Sequence, residues 1–291
     1  MGYDLFLGCV IPARLPYLEV SSRKIFEKLG IELRDVDGFS CCPDPTGIEQ
    51  IDHETWLALG ARNLSLCNNN GGVISFCSGC VETLKGVNHA INKDLTTKKE
   101  VNRHLQKIGK VYEGTTEIKH FAEVLYENLE KVKENVVKPL EGFKVAVHYG
   151  CHYLRPSEII AWDDPFEPVT LDEIIKVLGA EPVDYELKLE CCGNPVEKSD
   201  KDLSFLMIEN KFKSIYEAGA NCVVVVCPAC YQQYEFNQKD VNKKMGTENN
   251  LPIFYLSELV ALAFGFKPDE LGFNFHRAKP KGLFETVGFN P

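Results

Sequence analysis

The chain has no long hydrophobic run. No stretch approaches the roughly 18 apolar residues that a membrane span requires, so no membrane span is expected. It has no basic leader either: Asp4 stands among the first ten residues, and the expectation is a cytoplasmic protein. Positive charge is scarce. Against 42 Asp+Glu stand 32 Lys+Arg, a net charge of −10, and no segment supplies the basic stripe that nucleic acid needs. Neither G-x-G-x-x-G, a P-loop nor G-x-S-x-G occurs, so no nucleotide or serine-hydrolase site is expected, and a flavin would have to sit in another chain. What is plentiful is cysteine. Twelve in 291 residues are too many for ordinary core thiols and too few for a disulfide scaffold of this length. In a reducing compartment such a set points to metal or redox chemistry.

Ten of the twelve fall into two copies of one pattern. The first copy is Cys9, 31 intervening residues, the pair Cys41-Cys42, 34 residues, then Cys77-x-x-Cys80. The second is Cys151, 39 residues, Cys191-Cys192, 34 residues, then Cys227-x-x-Cys230. A repeated doublet with an identical 34-residue gap marks an internal duplication. Cys67 and Cys222 lie outside the pattern at unmatched offsets and read as buried core thiols.

The surroundings repeat too. Strand-like runs at 3–7 and 144–149 both lead into Gly-Cys. Helix-period stretches end at Lys28-Leu29-Gly30 and Val177-Leu178-Gly179, where glycine reads as a C-terminal cap. Helices expected over 54–68 and 202–218 precede apolar runs at 72–76 and 222–226, the continuous kind that suits a strand buried on both faces. Segments 118–125 and 253–260 repeat once more. Alternating strands and helices predict an α/β fold of two pseudo-symmetric βαβ (Rossmann-like) halves, each with a mainly parallel sheet and its cysteines at the carboxyl edge of the strands. The expected units are residues 1–137, 138–264 and a C-terminal extension, 265–291, wrapping the body or touching a neighbour. The lysine-rich insertion 92–116 shows no apolar stripe and reads as a solvated helical excursion.

Four sulfurs satisfy a structural zinc, which is the simplest reading of any C-x-x-C. Each copy here offers five. Zinc would leave one thiol idle per copy, and adjacent cysteines seldom aim at one small ion. A polynuclear iron–sulfur centre, in which neighbouring thiolates reach different irons, accounts for the count better. A four-cysteine cubane would also leave a thiol over, so the count favours an unusual cluster.

These residues resemble the CCG-domain family: a single cysteine, an adjacent pair and a C-x-x-C, commonly duplicated, with Cys191-Cys192-Gly193 as the family's triplet. More narrowly, Phe6-Leu7-Gly8-Cys9, Ser40-Cys41-Cys42-Pro43, Thr55-Trp56, Ala61-Arg62-Asn63, Lys119-His120-Phe121-Ala122-Glu123-Val124-Leu125-Tyr126 and Val145-Ala146-Val147-His148-Tyr149-Gly150-Cys151-His152 resemble the B subunits of the soluble heterodisulfide reductases of methanogenic archaea. Two departures stand out, the longer first gap of the second copy and Pro43 where the first copy's triplet would carry glycine. The resemblance implies two non-cubane 4Fe–4S clusters, one held by Cys9, Cys41, Cys42, Cys77 and Cys80, the other by Cys151, Cys191, Cys192, Cys227 and Cys230. It implies reduction of the coenzyme M–coenzyme B heterodisulfide, one electron per cluster, in methanogenesis. It also implies an electron-bifurcating complex with an iron–sulfur electron-donor subunit, a flavin-containing subunit, and a hydrogenase or formate dehydrogenase. The alternatives are a CCG-type electron-transfer subunit of a quinone-linked or 2-hydroxy-acid oxidoreductase, and a zinc-binding scaffold subunit.

Such a substrate carries sulfonate and phosphate, so local positive charge is needed, from arginine forks or helix N-termini. Arg14 and Arg155, five and four residues after the first cysteines, are candidate anion-binding residues, with a plain surface or cap role as the alternative. His152 is a candidate proton donor to a leaving thiolate. His148, inside a strand, reads as a core histidine with its hydrogen bonds satisfied, and Asn194 as a turn residue or a donor to cluster sulfur.

Overall fold

The computed structural model describes residues 2–67 and 71–290. Its described strands are β1 (Gly2–Phe6), β2 (Glu32–Asp35), β3 (Val73–Ser75), β4 (Ile118–His120), β5 (Lys144–His148), β6 (Glu181–Val183), β7 (Cys222–Val225) and β8 (Ile253–Tyr255). They form two four-stranded sheets with matching orders, β2-β1-β3-β4 and β6-β5-β7-β8. Every pairing is parallel. The two pseudo-symmetric α/β halves expected from the repeat are therefore present. In each sheet the chain leaves the first strand toward one edge and returns on its other side, so the order reverses between β1 and β3, and between β5 and β7. A parallel sheet leaves a crevice at such a reversal, beyond the carboxyl ends of the two strands. Cys9 and Cys77 follow β1 and β3, and Cys151 and Cys227 follow β5 and β7, so both motifs open onto that crevice.

Local chemistry sets the helix limits. Gly30 and Gly179 stop the helices Pro16–Lys28 and Thr170–Val177 with left-handed φ of 68° and 83°. Asp52 and Asp200 accept from Thr55 N and Leu203 N to start the helices His53–Leu64 and Lys201–Glu217. The first of these ends at Leu64, short of the expected 68; residue 68 lies outside the described residues.

The larger hydrophobic core runs through both halves, and a second lies within the first. Helix Leu256–Ala263 packs on helix Pro16–Lys28, where buried Ser21 and Ser257 share a 2.8 Å hydrogen bond. The last residues of β4 and β8 also cross the boundary reciprocally. His120 Nδ1 accepts from Ala122 N, which leaves Nε2–H to donate to Val226 O at 3.1 Å. Tyr255 OH donates to Phe76 O. Phe76 and Val226 immediately precede the two C-x-x-C motifs, so each half holds the other's cysteine turn.

The reading of the insertion changes. The insertion 92–116 is not a solvated excursion: Val101, Leu105 and Tyr112 are buried against the helices His53–Leu64 and Ser78–Lys93. Val101 and Leu105 are a single i, i+4 pair, too narrow a stripe to register against the lysines. The C-terminal segment lies on the body, with Phe284 against Phe143 and Phe254 of the second half and Phe275 stacked on Tyr17 of the first.

Candidate iron–sulfur site

The ten patterned cysteines all line one cavity of about 250 Å³ at the carboxyl edges of both sheets. Their sulfurs form an unbroken path. Cys9 Sγ lies 3.9 Å from Cys41 Sγ. From Cys41 each thiol is within side-chain hydrogen-bond reach of the next, through Cys42, Cys80 and Cys77 in the first half. Cys77 meets Cys227, and the path continues through Cys230, Cys192 and Cys191 to Cys151. The C-x-x-C motifs are thus the seam between the two sets. Cys67 and Cys222 take no part. Cys67 donates to Asn63 O, and Cys222 is a strand residue with no exposed surface.

Three kinds of local structure deliver the sulfurs. Cys77 and Cys227 are the N-caps of the helices Ser78–Lys93 and Pro228–Met245, so the first-turn N–H groups and the positive end of each helix dipole favour thiolate. Cys9 and Cys151 follow glycines with φ of 70° and 76°. A Cβ at Gly8 would stand 2.7 Å from Cys80 Sγ, closer than real carbon–sulfur contacts, so only glycine lets the first cysteine and the C-x-x-C share this space. The adjacent pairs sit on irregular loops held from behind. In the first half buried Asn63 accepts from Ser40 N and donates to Cys41 O, both at 3.0 Å. In the second, the amine of Lys211 donates to Leu187 O and Glu190 O.

Such crowding decides what the sulfurs can hold. Bonds from Cys41 and Cys80 pull Cys42 below the ordinary thiol range, and bonds from Cys151 and Cys192 do the same for Cys191. The donating Cys41, Cys80, Cys151 and Cys192 are pushed up. Sulfurs this close ionise together only around cations, and five soft donors per half fit an iron–sulfur centre better than a four-coordinate zinc.

His152 and Asn194 line the cavity with the thiols. His152 Nδ1 stands 3.9 Å from Glu82 Oε2. Burial, then the charges of Glu49, Cys42 and Asp44, raise the Glu82 carboxyl to about 8, so it is protonated at neutral pH. Neither arginine reaches this space. Arg14 is exposed in the last turn of helix Val10–Arg14, where it complements the helix dipole. Arg155 turns away to donate to Pro165 O at 2.8 Å. Among the described lining residues there is no lysine or arginine, and the positive ends of the two C-x-x-C helices are what the cavity offers an anion.

His148 departs from its expected role. It is buried in the core, but neither ring nitrogen has a hydrogen-bond partner. Burial and the nearby Lys211 charge pull the imidazole down to about 3, so it is neutral. A ring nitrogen and the sulfurs of Cys192 and Cys230 lie within 4.8 Å of one another. Lys211 and Glu82 also escaped the sequence reading. Lys211 had a signal: it falls three residues after Ile208 and four before Ile215, on the apolar face of helix Lys201–Glu217. Glu82 had none, since the C-x-x-C helix runs buried on most sides.

The model of the CCG cysteine-rich domain matches residues 3–85 and 145–235. The chain is 40% identical to the B subunit of the ferredoxin:CoB-CoM heterodisulfide reductase of Methanosarcina mazei, over 92% of this chain and 91% of that one. It is 38% identical to a protein of Archaeoglobus profundus described as like the heterodisulfide reductase B subunit, over 92% of each. It is also 35% identical to the 8-methylmenaquinol:fumarate reductase membrane anchor subunit of Wolinella succinogenes, over 94% of this chain and 95% of that one. Among solved structures, a hypothetical protein from Helicobacter pylori superposes with a TM-score of 0.77 at 18% identity. That match covers 96% of this chain and 52% of the other, so the chain spans about half the length of that fold relative. No described helix is long and apolar enough to cross a membrane.

Proposed function

The chain belongs to the CCG cysteine-rich-domain family, and from that premise we propose that it is the catalytic, cytoplasmic B subunit of a heterodisulfide reductase, reducing the coenzyme M–coenzyme B heterodisulfide to two thiols. Cys9, Cys41, Cys42, Cys77 and Cys80 hold one non-cubane 4Fe–4S cluster, and Cys151, Cys191, Cys192, Cys227 and Cys230 hold the other. When bound, the clusters supply one electron each and iron as a Lewis acid for sulfur. The chain's own residues do the rest. Helices Ser78–Lys93 and Pro228–Met245 aim their N-termini at the anionic sulfurs and at the charged ends of the substrate. Apolar Leu7, Val10, Ile11 and Pro45 line the same cavity and exclude water from it. His152, with Glu82 behind its Nδ1, holds a proton at the cavity wall for a departing thiolate. Electrons come from an iron–sulfur donor subunit together with a flavin-containing one in a bifurcating complex, fed by a hydrogenase or formate dehydrogenase.

The observation that carries this reading is the gathering of two equivalent sets of five thiols on the wall of one cavity. Iron and acid-labile sulfide analysis of anaerobically purified protein, followed by a heterodisulfide assay with a reduced viologen dye, tests it. Two zinc ions and no iron would overturn it. The similarity to the Wolinella fumarate reductase subunit supports a second reading, in which the clusters only pass electrons; iron-loaded protein inert toward heterodisulfide selects that one.

A further inference from the structure

In the duplicated frame Phe6-Leu7-Gly8-Cys9 aligns with His148-Tyr149-Gly150-Cys151, so the imidazole of His148 occupies the place that Phe6 fills in the first half. From each first C-x-x-C cysteine the second-half Tyr234 aligns with Leu84 in the same way. Both second-half residues are buried, with rings 5.2 Å apart. Neither His148 nitrogen nor the Tyr234 hydroxyl has a hydrogen-bond partner. A buried donor left without an acceptor costs about 1–3 kcal/mol, so a pair of them in a well-packed core signals acceptors that the polypeptide does not supply. The neighbouring atoms are the sulfurs of Cys192 and Cys230, within 4.8 Å of a His148 ring nitrogen.

Resting on the two-cluster reading, we infer that His148 donates an N–H···S hydrogen bond to sulfur of the second-half cluster and holds that cluster at a higher reduction potential than its first-half counterpart. A neutral imidazole has one N–H and one lone pair. The N–H stabilises negative charge on sulfur, and a reduced cluster carries one more negative charge than an oxidised one. Hydrogen bonds to cluster sulfur therefore raise its potential. Phe6 and Leu84 have no donor to offer. His148 is a positioning and tuning residue here: it touches the cluster and leaves the substrate alone.

Redox titration of the full chain, loaded with iron and sulfide under anaerobic conditions and followed by electron paramagnetic resonance, reads both clusters separately. Wild type is expected to show two unequal one-electron potentials. His148→Phe, which installs the first-half residue, is expected to lower the higher potential by at least tenfold in the reduction equilibrium, about 59 mV for one electron. The lower potential and the iron and sulfide contents stay unchanged. His148→Gln keeps an N–H donor and restores most of the shift, which a merely structural role would not do. If His148→Phe fails to fold, His148→Met makes the same test with a flexible side chain. Unmoved or equally shifted potentials overturn the inference, and so does loss of the second cluster's iron, which would make His148 a ligand. A wild-type protein without iron refutes the cluster reading itself, so the two failures are distinguishable.

Discussion

Where the first half carries Phe6 and Leu84 the second carries His148 and Tyr234, and where the first braces its cysteine pair with neutral Asn63 the second uses the cation of Lys211. Carboxylates flank the first set: Asp44 lines the cavity beside Cys42, and Glu49 stands close by, their charges helping to keep Glu82 protonated. The second set interacts with Lys211 through Cys151, Cys192 and Cys230. Strand order, cap positions and the 34-residue gap are the same in both halves. Duplication has preserved the geometry that presents five sulfurs and has let the charge around them diverge. On the proposed function, unequal potentials at the two sets would give the two electrons of the reduction an order.

The largest effect separates the sites outright. Cys42→Ala and Cys192→Ala each remove one buried thiol from the middle of a set. Iron and acid-labile sulfide are expected to fall to half in either variant, with heterodisulfide reduction lost in both. Full iron retention in either would sink five-thiolate ligation for that half.

Next come the braces. Asn63→Ala removes the bonds of a fully buried amide to Ser40 N and Cys41 O, which belong to exposed residues, at about 0.5–1.5 kcal/mol for each bond. Lys211→Met strands Leu187 O and Glu190 O but also removes a buried charge whose amine burial has pulled down to about 8, so its net cost is smaller. Thermal melts of the holoprotein should rank Asn63→Ala below Lys211→Met. The iron released first should come from the first site in one variant and the second site in the other. Release from the same site in both would break the equivalence of the two braces.

A smaller contrast lies in the glycines before the first cysteines. Alanine at either position suffers left-handed strain of roughly 1–2 kcal/mol. A Cβ at Gly8 also meets Cys80 Sγ at 2.7 Å, whereas at Gly150 the nearest atom, Cys230 Sγ, is an ordinary 3.7 Å away. Gly8→Ala is expected to lower first-site iron, and Gly150→Ala to lower only the melting temperature. Equal iron in both would show that Cys80 can swing aside without leaving the set.

Much of this was legible in the sequence because it is carried by spacing. The doublets, the C-x-x-C pairs and the glycines after 28–29 and 177–178 are local signals, and together they give the duplication, the parallel sheets and the ten thiols at one edge. The supports were hidden because they depend on which face of a strand or helix meets which neighbour. His148 looks like any strand histidine until its ring is found without a partner beside two sulfurs. Arg14 and Arg155 show the converse. They are near the cysteines in sequence, but a helix end and a loop carbonyl take them elsewhere. Val101 and Leu105 show how few apolar residues suffice to pin a charged helix.

The smallest expected effect belongs to the C-terminal segment, which lies on the second half and reaches the first-half helix Pro16–Lys28 through Phe275 on Tyr17 and Glu270 beside Lys24. His276 Nε2 pairs with Glu258 Oε1 at 2.8 Å, with neither side chain exposed, and Tyr231 OH lies 3.2 Å from the same nitrogen. Burial works against the imidazolium, but the Glu258 charge, its hydrogen bond and the Glu235 charge outweigh this and hold His276 above its ordinary value of 6.5. A raised folded-state value means that the folded chain keeps this proton when the unfolded chain has released it. The pair's stabilisation is therefore complete below pH 6.5 and is lost as pH rises through the raised value, with a slope of at most about 1.4 kcal/mol per pH unit for one proton. Glu82, Glu235 and Lys211 titrate in the same window and remain in His276→Gln, so denaturant unfolding across it should show the His276 contribution as the difference in slope between wild type and His276→Gln. Because Glu258 opens the helix Leu256–Ala263 that packs on Pro16–Lys28 of the first half, the loss as pH rises above 6.5 should loosen the seam between the halves before either cysteine set. Identical pH slopes in the two proteins would place the proton elsewhere.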